Sequence, residues 1–234
     1  MWLSAQNWDR EKQDPVATEV WAPRPPKVTP GTGTAAPSDA IVLFDGTSFN
    51  NWEHADGSPV KWKLEDGAMT VVGGTSAIQT KMGFGSVQLH VEWRSPAEVK
   101  GEGQGRGNSG IFLMGKYELQ VLDSYESQTY ANGQAGSIYK QSPPLVNPTK
   151  GPGEWQTYDI IFMAPVFGER GQLLIPGSIT VLLNGVLVQN HHIIVGPTEY
   201  KGFPQYLAHP TRLPLALQDH GNPVSFRNIW VREL

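Results

Sequence analysis

The sequence contains no cysteine, which excludes disulfide bonds, thiolate nucleophiles and cysteine-based metal sites. It also has little charge, with 18 Lys and Arg against 22 Asp and Glu in 234 residues. The basic residues are scattered singly, so nucleic acid is not an expected partner. No apolar run approaches the ~18 residues of a membrane span. Polar residues directly follow Met1-Trp2-Leu3, so we expect no signal peptide in this chain.

Glycine, proline and aromatic residues are abundant instead, with 26 Gly, 19 Pro and 10% aromatic side chains. This composition is typical of many short strands joined by tight turns. The division predicted is an N-terminal arm at 1–38, rich in proline after Trp21, and a domain at 39–234. Exposing the indole rings of Trp2, Trp8 and Trp21 to water is energetically unfavourable. We therefore favour an arm packed on the domain or on a neighbouring subunit over a disordered leader. A homo-oligomer formed through the arm is therefore a candidate assembly.

The pattern of residues 39–234 predicts a succession of short strands, and it contains no convincing long amphipathic helix. The segment 86–94 alternates strictly between a predicted core face and a predicted solvated face: Val87, Leu89, Val91 and Trp93 against Gln88, His90, Glu92 and Arg94. Asp66-Gly67 and Asn184-Gly185 separate alternating runs and predict hairpin turns. The pattern predicts an all-β fold, a two-sheet antiparallel jelly-roll sandwich.

The strand 117–123 is the first candidate for chemistry. The period of two places Glu118 and Gln120 on one face, whereas Asp123 joins them only if a bulge inserts one residue. Leu119 and Val121 would then face the core. The alternative is a plain amphipathic strand whose polar face is solvated.

Three other segments carry candidate site residues. The glycine-rich stretch 104–110 leads into a strand rather than a helix, so Arg106 and Asn108 are interpreted as groups at the rim of the same cleft, or as ordinary turn residues. Tyr139 and Lys140 follow a glycine, and both can stabilise an oxyanion.

The third segment, 215–230, contains Gln218, Asp219, His220 and Arg227. His220 has an imidazole side chain, which can act as an acid, a base or a metal ligand. The structural alternative is that Asp219 orients His220 in a turn and that Arg227 is an ion-pair partner.

Several segments together resemble the 3-keto-disaccharide hydrolase family in order and spacing. They are 41–46 (Ile-Val-Leu-Phe-Asp-Gly), 62–67 (Trp-Lys-Leu-Glu-Asp-Gly), 107–111, 117–123, 136–139, 153–160 and 217–230. The resemblance implies a concanavalin A-like jelly roll with a ligand cleft on its concave face. It also implies an exported protein, periplasmic or extracellular, from bacteria that degrade glycans.

The resemblance further implies cleavage of 3-keto-glycosides by removal of the C2 proton, loss of the aglycone and hydration. For this chemistry we expect Glu118 and His220 to be the proton-transfer pair and Asp123 to be an orienting group or cation ligand. Whether a divalent cation takes part stays open. The other expected contacts to the sugar or the enolate are Lys140, Arg106, Asn108, Gln120, Tyr139, Gln218, Asp219 and Arg227.

Two alternatives stay open at this point. A retaining β-glucanase is one, because Glu118-x-Gln120-x-x-Asp123 is similar to the Glu-x-Asp-x-x-Glu strand of laminarinase-like jelly rolls, although it departs from that strand at two of three positions. A non-catalytic glycan-binding module is the other, for which an exposed Trp52 and a polar concave face would suffice.

Overall fold

The structure, a computed structural model, describes residues 14–234. Short strands dominate it, and its helices in this part of the chain are single 3-10 turns at Pro15–Thr18, Gly103–Gly105 and Ala131–Gly133. None of these helices is long and apolar enough to cross a membrane. The strands are β1 Ile41–Phe44, β2 Trp52–His54, β3 Lys63–Glu65, β4 Ala68–Thr70, β5 Ile78–Phe84, β6 Val87–Arg94, β7 Ser109–Leu113, β8 Tyr117–Val121, β9 Gln156–Met163, β10 Val166–Phe167, β11 Leu173–Ile175, β12 Ser178–Leu183, β13 Val186–Ile193, β14 Leu213–Leu217 and β15 Ser225–Glu233.

The strands form two principal antiparallel sheets. The larger has the order β13-β12-β9-β6-β15-β4-β3, with β1 also paired to β15, and the smaller has the order β2-β5-β14-β7-β8. A separate two-stranded ribbon pairs β10 with β11. This arrangement confirms the predicted all-β, two-sheet antiparallel jelly-roll sandwich.

Both predicted hairpins are present. Asp66 and Gly67 have φ of 52° and 71°, and Asn184 and Gly185 have φ of 53° and 78°. Two successive residues with positive φ give the tight turn whose twist matches that of the flanking strands, here β3–β4 and β12–β13.

The hydrophobic core lies between the two sheets. Tyr117 of the smaller sheet packs against Phe162 of the larger one, with ring centroids 5.7 Å apart. The buried Tyr158 hydroxyl donates a hydrogen bond to the Gln120 carbonyl at 2.7 Å, which joins the sheets through a polar contact as well. The core faces of both sheets follow the period of two, so the opposite face of β8 is available for a site.

One face of β6 was predicted to be solvated, and this is wrong for the two central residues of that face, which are covered. His90 is 2% exposed and Glu92 is 6% exposed. The Trp230 ring stacks on His90 with centroids 5.1 Å apart, and the Thr34 hydroxyl donates to Glu92 at 2.9 Å. Thr34 belongs to the predicted arm, so this part of the arm packs on the larger sheet. Alternation along one strand cannot reveal cover that comes from a distant segment.

The predictions for the earliest residues are only partly addressed. Trp2 and Trp8 lie outside the described residues, whereas Trp21 is 71% exposed. The division at residue 38 and the homo-oligomer stay predictions. Trp52 was expected to be exposed, and this is wrong. It is 2% exposed because its ring enters the core and its indole N–H donates to the Leu43 carbonyl at 2.9 Å.

Candidate active site

A cavity of about 690 Å³ lies on the outer face of the smaller sheet, where β7, β8 and the end of β14 meet three loops. Its lining residues are Gln104, Gly105, Asn108, Phe112, Glu118, Gln120, Tyr130, Tyr139, Thr198, Tyr200, Gln218 and His220. Six of the eleven residues predicted for the site line it: Asn108, Glu118, Gln120, Tyr139, Gln218 and His220.

Glu118 is the carboxyl group of this cavity. It lies on β8 opposite Phe112, and it is 5% exposed. Its backbone N–H donates to the Thr198 hydroxyl and its carbonyl accepts from the Tyr139 N–H, so two loops close the outer edge of β8. Burial raises the pKa of Glu118 from 4.5 to about 8. A buried carboxyl that holds its proton near neutrality is suited to proton transfer.

An amide network forms the floor of the cavity. The Gln120 side-chain NH₂ donates to the side-chain oxygens of Gln104 at 3.2 Å and of Asn108 at 3.3 Å. Asn108 in turn donates to the Gln104 carbonyl at 2.6 Å. The buried side-chain oxygens of Gln120 and Gln218 have no hydrogen-bond partner within residues 14–234. Unsatisfied acceptors in a cavity wall favour a ligand that brings hydroxyl donors.

Two tyrosines, Tyr130 and Tyr139, line the same cavity as Glu118. The Tyr139 hydroxyl lies 2.7 Å from the Tyr130 hydroxyl, and one of the two groups donates to the other. Burial, the hydrogen bond with Tyr130 and the nearby Glu118 raise the pKa of Tyr139 well above its usual value. The Tyr139 phenol therefore stays protonated near neutrality, and both hydroxyls are groups that can donate a hydrogen bond to a developing oxyanion.

His220 lines the cavity and is solvent-exposed, whereas its neighbour Asp219 has a structural position. The Asp219 carboxylate accepts the backbone N–H groups of Thr75 and Ser76 at 2.9 and 3.0 Å and that of Gly221 at 2.8 Å. It therefore fixes the loop that carries His220. The predicted substrate contact through Asp219 is not supported by this position, because its carboxylate is already occupied.

Arg106 and Asp123 do not line the cavity. β8 ends at Val121, so no bulge within the strand brings Asp123 beside Glu118. The Asp123 carboxylate instead accepts a hydrogen bond from the Arg106 Nε at 2.7 Å, and both residues border a smaller depression of about 170 Å³. No group of three or more His, Asp or Glu side chains in the described part of the chain could hold a metal ion. Asp123 is therefore placed as an ion-pair partner, not as an orienting group of the cavity.

Arg227 lies on the opposite side of the sandwich. Its Nε donates to Glu92 at 2.6 Å, and its guanidinium stacks 4.0 Å above the Trp155 ring. Burial alone would raise the pKa of Glu92, but hydrogen bonds from Asn228, Arg227 and Thr34 outweigh it and hold that pKa below its usual value. The ion-pair interpretation of Arg227 is the one that its position supports, and the substrate contact is not.

Lys140 lies at the rim of the cavity. Its Nζ donates to the Tyr200 carbonyl at 2.6 Å, and Lys140 is not among the residues that line the cavity. Sequence reasoning missed five lining side chains: Gln104, Phe112, Tyr130, Thr198 and Tyr200. Most of these residues lie on loops, and loops have no periodic pattern that predicts which side chains meet at one site.

Gly110 makes room for the Glu118 carboxyl. A Cβ at this position would lie 2.5 Å from Glu118 Oε1 and 3.0 Å from a ring carbon of Phe112. We expect Gly110→Ala to displace the carboxyl and to lower kcat/KM at least tenfold with the fold retained, because misplacing a reacting group is costly. Steady-state kinetics and circular dichroism measure the two effects.

The matched control is Gly151→Ala, whose Cβ would meet only the flexible Glu154 carboxylate, at 3.1 Å. It should leave kcat/KM unchanged. Equal activities of Gly110→Ala and the wild type would show that the glycine does not set the position of Glu118.

Comparisons with known proteins agree with this fold. A protein described as 3-keto-disaccharide hydrolase from Bacteroides thetaiotaomicron is 27% identical over 83% of this chain and 78% of its own length. The crystal structure of a provisionally assigned glycosyl hydrolase from Parabacteroides distasonis ATCC 8503 superposes with a TM-score of 0.90 at 51% identity, and the match covers 94% of this chain and 97% of that one. A second structure from the same organism, with a TM-score of 0.60 at 22% identity over 84% and 94% of the two chains, shares the fold.

The sequence pattern of one family extends over nearly all of the domain. It matches residues 39–232, from just before β1 to the last strand, and so includes every residue that lines the cavity. The chain belongs to the family of the 3-keto-alpha-glucoside-1,2-lyase-like domain.

Proposed function

We propose that this chain, a carbohydrate-active enzyme by its family, cleaves 3-keto-glycosides by elimination of the aglycone followed by hydration. The observation that carries the proposal is that, within residues 14–234, Glu118 is the single carboxyl that lines the cavity. Ordinary glycoside hydrolysis uses two carboxyl groups that flank the scissile bond. Elimination beside a ketone needs one base, an acid and a holder for the enolate oxygen.

Each alternative function loses one of its supporting features. A retaining glucanase needs a second carboxylate facing Glu118, but Asp123 is paired with Arg106 outside the cavity. The glycan-binding module was based on an exposed Trp52 and a polar concave face; Trp52 is buried in the core, whereas the polar face is present as the cavity.

In the proposed reaction Glu118 removes the proton from C2 of the sugar. The electron pair of the C2–H bond first forms an enolate with the C3 ketone and then a C1=C2 double bond as the bond from C1 to the aglycone oxygen breaks. The leaving oxygen takes a proton, for which His220 is the candidate donor. Water then adds its hydroxyl to C1 and a proton returns to C2, so the net change is hydrolysis.

The surroundings of Glu118 suit this role. A carboxylate with a pKa of about 8 is a stronger base than an ordinary one, and its ionised form is still accessible near neutrality. The phenols of Tyr139 and Tyr130 are the candidate donors to the enolate oxygen, and the amides of Asn108, Gln120 and Gln218 are candidate contacts to sugar hydroxyls.

The proposal also includes a periplasmic or extracellular location for the protein.

A pair of chromogenic substrates tests the function. We expect release of 4-nitrophenol from 4-nitrophenyl 3-keto-glucoside and at least a thousandfold lower kcat/KM on unoxidised 4-nitrophenyl glucoside, because only the ketone acidifies C2. Each rate is corrected with an enzyme-free blank, since 3-keto-glycosides also eliminate spontaneously in base. Comparable rates on both substrates would instead indicate a conventional glycosidase. Saturable binding without turnover of either would indicate a binding module.

A further inference from the structure

The two ends of the cavity differ in chemistry. At the floor, Glu118, Gln120 and Asn108 are almost fully buried and present carboxyl and amide groups. At the mouth, Tyr130 is 41% exposed and Tyr200 is 69% exposed. Exposed aromatic rings at the mouth of a polar cavity are typical of sites that hold a ring by its face. The volume of about 690 Å³ lies within the range of pockets that enclose a drug-sized ligand, about 300–1,000 Å³, and exceeds that of one sugar ring.

Lys140 joins the aromatic groups of the mouth. Its Nζ lies 4.3 Å from the ring centroid of Tyr200, 5.8 Å from that of Tyr139 and 5.9 Å from that of Tyr130. The same Nζ donates to the Tyr200 backbone carbonyl at 2.6 Å. One ammonium group therefore contacts both the backbone and the ring of Tyr200, on the loop between β13 and β14, and also faces the pair Tyr130–Tyr139.

The backbone of Lys140 is in an uncommon conformation, with φ of 58°. Lysine rarely adopts the left-handed region, and such a position persists when the surrounding contacts hold it. Its N–H donates to the Asn132 carbonyl at 2.8 Å, next to the turn that carries Tyr130. The main chain and the side chain of Lys140 thus connect the two loops that supply the rings.

We propose that the ring of Tyr200 forms a platform for the aglycone at the mouth of the cavity, and that Lys140 is the positioning residue that holds Tyr200 in place. The inference rests on the proposed function and adds to it the residues that bind a leaving group that contains a ring. The oxidised sugar occupies the polar floor, where Glu118 reaches C2, and the departing ring stacks on the platform.

Two substrates with the same anomeric configuration separate platform binding from leaving-group chemistry. Benzyl and methyl 3-keto-glucosides both release an alkyl alcohol, and only the benzyl compound brings a ring. We expect Tyr200→Ala to lower kcat/KM about tenfold on the benzyl compound and less than about twofold on the methyl compound. Lys140→Met should reproduce this selective loss in weaker form, and Lys140→Arg should restore part of it.

A double variant tests the link between the two residues. If Lys140 acts through Tyr200, Tyr200→Ala/Lys140→Met should be no worse on the benzyl compound than Tyr200→Ala alone. Lys201→Met, at an exposed lysine next to Tyr200, is the matched control and should change neither rate.

The outcomes distinguish the platform from the function on which it rests. Equal losses on both substrates would overturn the platform, and additive losses in the double variant would overturn the positioning role of Lys140, while turnover by the wild type upheld the function. Failure of the wild type to cleave any 3-keto-glucoside would overturn the proposed function itself.

Discussion

Glu118→Gln is expected to lower kcat/KM on a 3-keto-glucoside by about 10²–10⁴-fold, the usual contribution of a positioned proton-transfer group. Glutamine has nearly the same shape and fits the space beside Gly110 and Phe112, but it cannot accept the C2 proton. On 4-nitrophenyl 3-keto-glucoside, whose 4-nitrophenolate leaves without a proton donor, kcat/KM of the wild type should rise with pH up to about 8 and then level off, because the ionised form of Glu118 is the base. Initial rates over a pH series, corrected for spontaneous elimination, measure both effects.

Two results would remove Glu118 from the role of base. One is a loss below tenfold in Glu118→Gln. The other is a wild-type kcat/KM on 4-nitrophenyl 3-keto-glucoside that falls as the pH rises towards 8, since that profile requires the protonated form of Glu118. Glu65→Gln, at an exposed glutamate of β3, controls for the amide replacement itself.

The same substitution is expected to stabilise the fold at high pH. The folded state holds the Glu118 proton up to a pH of about 8, whereas the unfolded chain loses it near 4.5. Between these values the folded state binds more protons, so the free energy of unfolding of the wild type decreases as pH rises. Each pKa unit corresponds to about 1.4 kcal/mol, so Glu118→Gln should gain several kcal/mol over the wild type by pH 9.

Denaturant unfolding of both proteins at pH 4, 6, 8 and 9 measures this difference. It should be small at pH 4, increase through the window and become constant above pH 8. A difference that does not change with pH would show that burial does not raise the pKa of Glu118. A gain in stability together with a loss of activity would show that the buried carboxyl is kept for catalysis at a cost to the fold.

Local patterns predicted the fold because each element is encoded within a few residues. The alternation from Val87 to Trp93 and the Asp-Gly and Asn-Gly turns depend only on strand and turn geometry. These local patterns could not predict which strand faces are covered by residues that are distant in the sequence. Thr34 reaches Glu92 across 58 positions, and β5 and β14 bring in partners that no short window contains.

The candidate site was predictable to the extent that it lies on strands. Glu118 and Gln120 share a face of β8 by the period of two, and this face lines the cavity. Asp123 and Arg227 were misplaced for different reasons: the strand ends before Asp123, and Arg227 points from the other side of the sandwich. Tyr200 was missed because its position depends on a long loop fixed by contacts such as that with Lys140.

Isotope incorporation at C2 tests the central claim, removal of the C2 proton by Glu118, most directly. The reaction of a 3-keto-glucoside is run in D₂O, quenched at early times, and the released 3-keto-sugar is examined by NMR and mass spectrometry. Elimination followed by hydration predicts one solvent deuteron at C2 in each product molecule, together with a primary isotope effect on kcat/KM for substrate deuterated at C2. Product that retains its original C2 hydrogen, formed without an isotope effect, would contradict the account.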